Sequence, residues 1–100
     1  RREDYIIRWG GEEFLIILNQ AKAGCLKVFS KNILNIVRET SLQLSEGKKI
    51  DITCSIGCTY LPLHPELMEV FKLEQLINFS DLAMYKAKEM GRNRAVHINF

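Results

Sequence analysis

Two adjacent glycines between two apolar runs constrain the fold of this chain more than any other feature. Gly10 and Gly11 separate the apolar residues 5–7 from the apolar residues 14–18. Runs of this length bounded by glycine are typical of two strands joined by a tight turn, in which glycine supplies a positive φ and leaves the backbone open to a ligand. The sequence therefore predicts a β-hairpin with strands over residues 5–9 and 14–18.

Two carboxylates follow the glycines at the predicted hairpin tip. Side chains of neighbouring residues in a regular strand point to opposite faces, so we expect one of Glu12 and Glu13 to face the glycine-lined notch and the other to face its flank. A solvated acidic hairpin tip is the simpler interpretation, and these four residues alone favour it because turn glycines and surface acids are common.

The middle of the chain carries a helical pattern. Apolar residues recur there at steps of three and four, which predicts one long amphipathic helix that begins at the capping residue Asn19 and continues to Glu46. Gly47 then ends it, as a glycine just past a helix commonly does. The apolar positions are Leu26, Phe29, Ile33, Ile36, Val37 and Leu44.

The last half of the chain predicts a strand, a helix and a strand. Apolar and polar residues alternate over residues 50–60, the signal of one half-buried strand, which a loop marked by Pro62, His64 and Pro65 brings to an end. An apolar stripe from Leu73 to Met90 predicts a second helix, which Gly91 terminates, and residues 95–100 indicate a short final strand. The order of elements predicts an α+β fold with helices packed over an antiparallel sheet.

Composition excludes several classes of protein. A chain of 100 residues with 47% apolar content is at most one domain with a small core. The net charge of +2 does not by itself indicate a nucleic-acid polymer or a membrane as a partner. Three cysteines do not make a disulfide framework, and we interpret all three as small buried hydrophobic residues in a reducing, cytoplasmic compartment.

Three separated segments resemble the GGDEF family, the diguanylate cyclases. Residues 1–14 are similar to the family signature in its Gly-Gly-Glu-Glu-Phe form, and the similarity recurs in residues 53–57 and in a third segment made of residues 80–88 and 91–94. The resemblance implies a ferredoxin-like, polymerase-palm-like antiparallel sheet with packed helices. Because the family's domain is commonly half as long again or more, it also implies that residues 1–100 are the C-terminal portion of one domain. The first strand, the first helices, a second metal-binding aspartate and the guanine-reading residues would lie upstream.

The resemblance implies that two GTP molecules are condensed into cyclic di-GMP. Joining nucleoside triphosphates requires bound phosphates, a metal that neutralises charge, and an activated 3′-hydroxyl. Gly10 and Gly11 would admit the triphosphate, and Glu12 would bind Mg²⁺ (or Mn²⁺) and help to activate the hydroxyl. Glu13 ranks second as a catalytic candidate.

Two cations near the end of the second predicted helix are candidates for phosphate binding. If the helix continues that far, Lys88 and Arg92 project from one face because they are spaced i, i+4. From spacing alone, a solvated basic helix end is an equally good interpretation. The family's Ala-Lys-x-x-Gly-Arg-Asn block favours phosphate contact.

Arg1 and Asp4 match the family's inhibitory product site, an Arg-x-x-Asp pattern that precedes Gly10. An arginine can stack on guanine there, while an aspartate accepts from guanine N–H groups. His64 and His97 have no partner at metal-ligand spacing, and we expect both to be structural or surface residues.

The resemblance also implies partners and leaves alternatives. One site holds one GTP, so catalysis implies a homodimer, and a sensory or receiver domain would precede this one in the parent protein. We expect residues 1–100 alone to be inactive. The alternative is an inactive module that senses cyclic di-GMP or serves interactions, which the intact Gly-Gly-Glu-Glu-Phe motif disfavours. A cyclase with a different base preference is a third, weaker possibility.

Overall fold

The structure of the chain is a computed structural model that describes residues 4–19, 24–60 and 72–99. Two helices and six strands lie within these ranges, which confirms the predicted α+β class. The described strands associate in three pairs. In chain order the elements are β1 (Tyr5–Arg8), β2 (Phe14–Ile17), α1 (Cys25–Glu39), β3 (Ser41–Ser45), β4 (Lys48–Asp51), β5 (Ser55–Tyr60), α2 (Leu73–Glu89) and β6 (Arg94–Asn99).

The first hairpin is confirmed, with each strand one residue shorter than predicted. β1 and β2 pair antiparallel, with Tyr5 opposite Ile17 and Arg8 opposite Phe14. Five residues, from Trp9 to Glu13, connect the two strands. The connection is therefore longer than a two-residue turn, and this length determines the geometry of the candidate site.

Helix α1 is present, but the predicted end at Glu46 is wrong. The backbone becomes extended at Thr40 (φ −93°, ψ 123°), which follows the last helical residue. The Thr40 N–H donates to the Val37 carbonyl at 3.1 Å, and its hydroxyl donates to the Ile36 carbonyl at 2.7 Å, so carbonyls of the final turn are satisfied without another helical turn. At the other end the helix begins after Gly24, not at Asn19.

A second hairpin, β3 and β4, replaces the last part of the predicted helix. Its strands pair antiparallel with Leu42 opposite Ile50, and its turn contains Gly47 in the left-handed conformation (φ 76°). Gly47 is therefore a hairpin-turn glycine and not a helix terminator. The predicted single strand over residues 50–60 is likewise wrong, because β4 ends at Asp51 and β5 begins at Ser55.

The packed centre of the described chain is α2 on the β5–β6 pair. β5 and β6 run parallel, with Ser55 beside Arg94, an arrangement that requires a crossover and differs from the antiparallel sheet that was predicted. The crossover contains α2, which contacts both strands. The predicted loop at Pro62 and Pro65 lies outside the described residues.

Helix α2 approaches β5 closely because small residues face each other. Ala83 and Ala87 are 2% and 0% exposed. A Cβ added to Gly57 on β5 would collide with the backbone of α2, at the Ser80 carbonyl and the Met84 nitrogen. The Ser80 hydroxyl also donates to Thr59 Oγ1 at 2.6 Å. Neither α1 nor α2 is both long and apolar enough to cross a membrane.

Candidate functional site

The connection between β1 and β2 is held by its own hydrogen bonds. The Trp9 and Gly10 N–H groups both donate to the Glu13 carbonyl, at 2.9 and 3.3 Å. The Arg8 guanidinium donates to the Gly11 carbonyl at 2.7 Å. These three bonds within the segment fold it into a closed loop.

The glycines of this loop differ from the expectation in one respect. Neither Gly10 nor Gly11 has a positive φ, so that prediction is wrong, because a five-residue connection does not need the left-handed conformation of a two-residue turn. Among the residues that the structure describes, a Cβ on Gly11 would meet no atom within 4 Å, and the nearest atom to one on Gly10 would be Glu13 Cβ at 3.9 Å. Neither backbone conformation nor internal packing explains these two glycines, and the space beside them is open to a ligand.

Both glutamates line the same depression as the glycines. It has a volume of about 590 Å³ and is bounded by Gly10, Gly11, Glu12 and Glu13. The expectation that the two carboxylates face opposite sides assumed a regular strand, and that assumption is wrong because both glutamates lie in the loop. Glu12 is exposed and Glu13 is half-buried. The depression is wide open, so other groups must complete any nucleotide site built on it.

The donor set of this loop suits one kind of metal. Within the described ranges, no group of three or more histidine, cysteine or carboxylate side chains is placed to hold an ion. Two adjacent carboxylates on an open loop fit Mg²⁺, a hard cation that retains several waters and takes one or two protein carboxylates together with substrate phosphates. They do not fit a closed structural zinc site.

Lys88 and Arg92 lie at the C-terminal end of α2. The helix ends at Glu89, so it does not continue to Arg92 and the i, i+4 argument does not apply. Gly91, Arg92 and Asn93 follow with φ of 117°, 64° and 52°, three left-handed residues in succession. The Arg92 N–H donates to the Ala87 carbonyl at 2.9 Å, which closes the helix end. Lys88 is half-buried on the helix, whereas Arg92 is exposed on the turn beyond it.

An arginine on the other helix, which none of the sequence motifs identified, holds this turn. Arg38 of α1 donates from Nε to Asn93 Oδ1 at 2.7 Å and from Nη2 to the Asn93 carbonyl at 3.0 Å. Its Nη1 reaches Asn35 Oδ1 at 3.3 Å. Arg94 Nε donates to the Arg92 carbonyl at 3.0 Å. Because Arg38 and Asn93 are 55 positions apart, no local sequence signal connects them.

The residues of the predicted inhibitory site are described in part. Asp4 Oδ1 accepts a hydrogen bond from the Asn19 N–H at 3.2 Å, across the open end of the first hairpin. Arg1 lies outside the described residues. A ligand that uses the Asp4 carboxylate must therefore share it with the hairpin backbone.

A separate polar cluster joins α1 to the β5–β6 pair. The Ser30 hydroxyl donates to the Lys27 carbonyl at 3.0 Å and lies 3.3 Å from His97 Nε2. Burial, with a smaller contribution from the Lys27 charge, lowers the pKa of His97. Burial raises the pKa of the Cys58 thiol to about 11, against a smaller opposite effect of the Ser30 hydroxyl.

The three cysteines differ in exposure. Cys58 is buried as expected, Cys54 is half-buried and Cys25 is exposed. The expectation of three buried thiols is therefore wrong for Cys25, which occupies the outer side of the first turn of α1. Burial raises the pKa of Cys54, and the nearby Arg38 charge partly offsets this effect.

Comparison with known proteins decides which family carries this arrangement. The model of the family described as "Diguanylate cyclase, GGDEF domain" matches residues 1–94. The chain belongs to the GGDEF family. In this GGDEF chain the signature glycines and glutamates are the residues that line the open depression between β1 and β2.

Curated relatives of the GGDEF chain agree with this assignment. Diguanylate cyclase DosC of Escherichia coli (strain K12) is 36% identical over 94 residues, which cover 94% of this chain and 19% of the relative. Diguanylate cyclase A of Treponema denticola is 34% identical over 94 residues and 24% of its length. Diguanylate cyclase DgcZ of E. coli (strain K12) is 33% identical over 100 residues and 31% of its length. The chain thus spans a fifth to a third of the length of these relatives.

Proposed function

We propose that this GGDEF chain is the C-terminal portion of a diguanylate cyclase domain, and that the parent protein condenses two GTP molecules into cyclic di-GMP. The observation that carries the proposal is the loop between β1 and β2. It keeps the family's Gly-Gly-Glu-Glu-Phe motif, and its glycines have open space beside them that none of the described residues fills. The names of the relatives support the same reaction.

The first requirement of the reaction is a place for the triphosphate. A phosphate carries large oxygens that must approach the main chain closely, and glycine permits this because it has no side chain. An added Cβ on Gly11 would project into the space that the nucleotide needs, although it would come within 4 Å of no atom in the described part of the chain. Gly10 and Gly11 are therefore assigned to substrate binding.

The second requirement is charge neutralisation and proton removal. Glu12 is exposed at the depression and is assigned as the Mg²⁺ (or Mn²⁺) ligand, with Glu13 beside it as the secondary candidate. When bound, the ion neutralises phosphate charge and polarises the attacking 3′-hydroxyl. A Glu12 carboxylate at this position also has the chemistry to accept the hydroxyl proton.

The third requirement is cationic side chains that bind the outer phosphates. Arg92 can donate two parallel hydrogen bonds to a phosphate, and Lys88 can act as a point charge. Arg92 is exposed on the turn after α2, as a residue that meets a ligand from solvent must be. The proposal requires that these cations and the β1–β2 loop bind the same nucleotide in the complete domain.

The stoichiometry of the product requires two copies of the domain. One depression is assigned one GTP, and cyclic di-GMP contains two guanylate units, so the active form is a homodimer with its two sites facing each other. Release of two pyrophosphates balances the reaction. Arg1 and Asp4 are assigned to product inhibition, in which guanine would compete with the Asn19 N–H for the Asp4 carboxylate.

The test is turnover by the parent protein carrying Glu12→Gln. Gln keeps the size of the side chain but removes its negative charge, so we expect cyclic di-GMP formation to fall by roughly 100-fold or more while GTP still binds. The matched control is Glu39→Gln, which neutralises another exposed glutamate at the end of α1 and should leave turnover unchanged. Turnover of Glu12→Gln equal to that of the unaltered protein would remove Glu12 from the mechanism.

A further inference from the structure

The turn that carries Arg92 has a backbone conformation that residues with side chains rarely adopt. Arg92 and Asn93 both have positive φ, 64° and 52°. Asparagine tolerates this region because its short polar side chain can bond locally, whereas arginine has no such compensation. A turn of this kind persists only where its surroundings hold it in place.

Two arginine side chains hold the turn, in addition to the backbone hydrogen bond from the Arg92 N–H to the Ala87 carbonyl. Arg38 spans from α1 and donates to both the side-chain oxygen and the backbone carbonyl of Asn93, at 2.7 and 3.0 Å. These two hydrogen bonds use two donors of one planar guanidinium group, a geometry that an ammonium group cannot reproduce. Arg94 Nε donates to the Arg92 carbonyl at 3.0 Å from the other side.

The contact between Arg38 and Asn93 lies away from the packed core. Arg38 is exposed, whereas α1 meets the β5–β6 pair at buried Ser30, which lies 3.3 Å from His97 Nε2, and Leu34 of the same helix is also buried. Exposed polar contacts contribute little to global stability, so the contact between Arg38 and Asn93 does not account for the attachment of α1 to the rest of the domain. Its direct effect is on the backbone of the turn.

The charge around the turn also favours an anion. Four cationic residues lie on or against the turn: Arg38, Lys88, Arg92 and Arg94. In the part of the chain that the structure describes, none of these four forms an ion pair with a carboxylate, and the ion pair of α2 joins Lys86 to Glu89. Cations gathered without carboxylate partners repel one another, and a bound phosphate relieves that repulsion.

We propose that Arg38 is a positioning residue for GTP. Its hydrogen bonds to Asn93 fix the turn that carries Arg92, and the conformation of this turn determines where the Arg92 guanidinium contacts the phosphates. The inference rests on the proposed function and extends it to a residue on a different helix. Arg38 does not itself touch the nucleotide. It lowers the cost of binding because Arg92 is already in place when GTP arrives.

The first test compares GTP kinetics of single variants of the parent protein. We expect Arg38→Ala to raise the KM for GTP roughly three- to tenfold, the range of one or two charge-assisted hydrogen bonds, while kcat changes less than about twofold. Arg38→Lys should recover only part of the loss, because it keeps the charge but not the planar guanidinium group. The control is Lys31→Ala, which removes another exposed cation of α1 and should leave the KM unchanged.

A variant on the other side of the contact separates the hydrogen bond from the backbone. Asn93→Gly removes Oδ1 but retains the carbonyl and adopts positive φ without strain. We expect a smaller rise in KM for Asn93→Gly than for Arg38→Ala.

The melting temperature separates positioning from general stability. If the melting temperature of Arg38→Ala falls well below that of the Lys31→Ala control, Arg38 is a residue of general stability and the inference is overturned.

A double-mutant cycle then distinguishes the two proposals. If Arg38 acts through Arg92, Arg38→Ala should add no further rise in KM to an Arg92→Ala protein. Equal effects of Arg38→Ala in both backgrounds would overturn the inference and leave the proposed function intact. An Arg92→Ala protein with an unchanged KM would instead contradict the assignment of Arg92 to the phosphates.

Discussion

Replacing Gly57 by alanine should destabilise the domain severely, and the reason is visible in the contact between β5 and α2. The added Cβ would collide with the Ser80 carbonyl and the Met84 nitrogen and lie 3.0 Å from the Ala83 carbonyl carbon. These are backbone atoms of a helix, which cannot move individually as a flexible side chain can. The helix must shift as a body, and the buried contacts of Ala83 and Ala87 are lost with it.

The magnitude follows from the cost of overpacking. Inserting a methyl group into a tightly packed core usually costs about 1–3 kcal/mol, and we expect about 3 kcal/mol here because backbone atoms are in the way. That is a large part of a typical stability of roughly 5–15 kcal/mol. It corresponds to a fall in melting temperature of roughly 6–12 °C for an intact domain of about 150 residues.

Urea and thermal unfolding of the parent protein measure this loss, with Gly11→Ala as the matched control. A Cβ on Gly11 meets no described residue within 4 Å and Gly11 has no positive φ, so the unfolding free energy of Gly11→Ala should stay within about 0.5 kcal/mol of that of the unaltered protein. Cyclic di-GMP formation by Gly11→Ala should nevertheless fall, because the added methyl group occupies space assigned to GTP. Equal stabilities of the two variants would refute the packing argument.

Two further predictions concern the cluster that joins α1 to the β5–β6 pair. Burial and the Lys27 charge lower the pKa of His97, so the unfolded chain binds protons more readily than the folded one. The contribution of His97 to stability is therefore complete above about pH 6.5 and is lost as the pH falls through the lowered folded-state pKa. When the free energy of unfolding is measured at decreasing pH, it should decline less steeply for His97→Gln than for the unaltered protein. Iodoacetamide labelling followed by peptide mass spectrometry should modify exposed Cys25 before buried Cys58, whose pKa is raised to about 11, and faster labelling of Cys58 in the folded protein would contradict the packing described.

The sequence predicted those elements whose signal is local and unambiguous. The first hairpin follows from Gly10 and Gly11 between two apolar runs, and α2 follows from an apolar stripe that Gly91 ends. The family motifs located the candidate site for the same reason, because the four residues that line the depression are consecutive.

The errors arose where one segment satisfies two periodicities. Leu44 lies seven residues after Val37 and fits a helix, but Leu42 and Leu44 also alternate with serine and glutamine as in a strand. Thr40 decides between the two by adopting an extended backbone. Propensity is too weak to settle such a choice without knowledge of what the segment packs against.

The remaining features depend on contacts between distant residues. Arg38 donates a hydrogen bond to Asn93, and β5 pairs parallel with β6. Both contacts join segments that are far apart in the chain. The requirement for glycine at position 57 became clear only when α2 was seen to lie against it. No spacing rule reports these contacts, because they are set by the way the elements pack.

Whether the parent protein is a cyclase is decided by the products that it forms when incubated with GTP and Mg²⁺. We expect cyclic di-GMP and pyrophosphate in a ratio of one to two, with the yield strongly reduced by Glu12→Gln. Binding of labelled cyclic di-GMP without any turnover of GTP would contradict it, and would identify the GGDEF chain as part of a sensor of the dinucleotide.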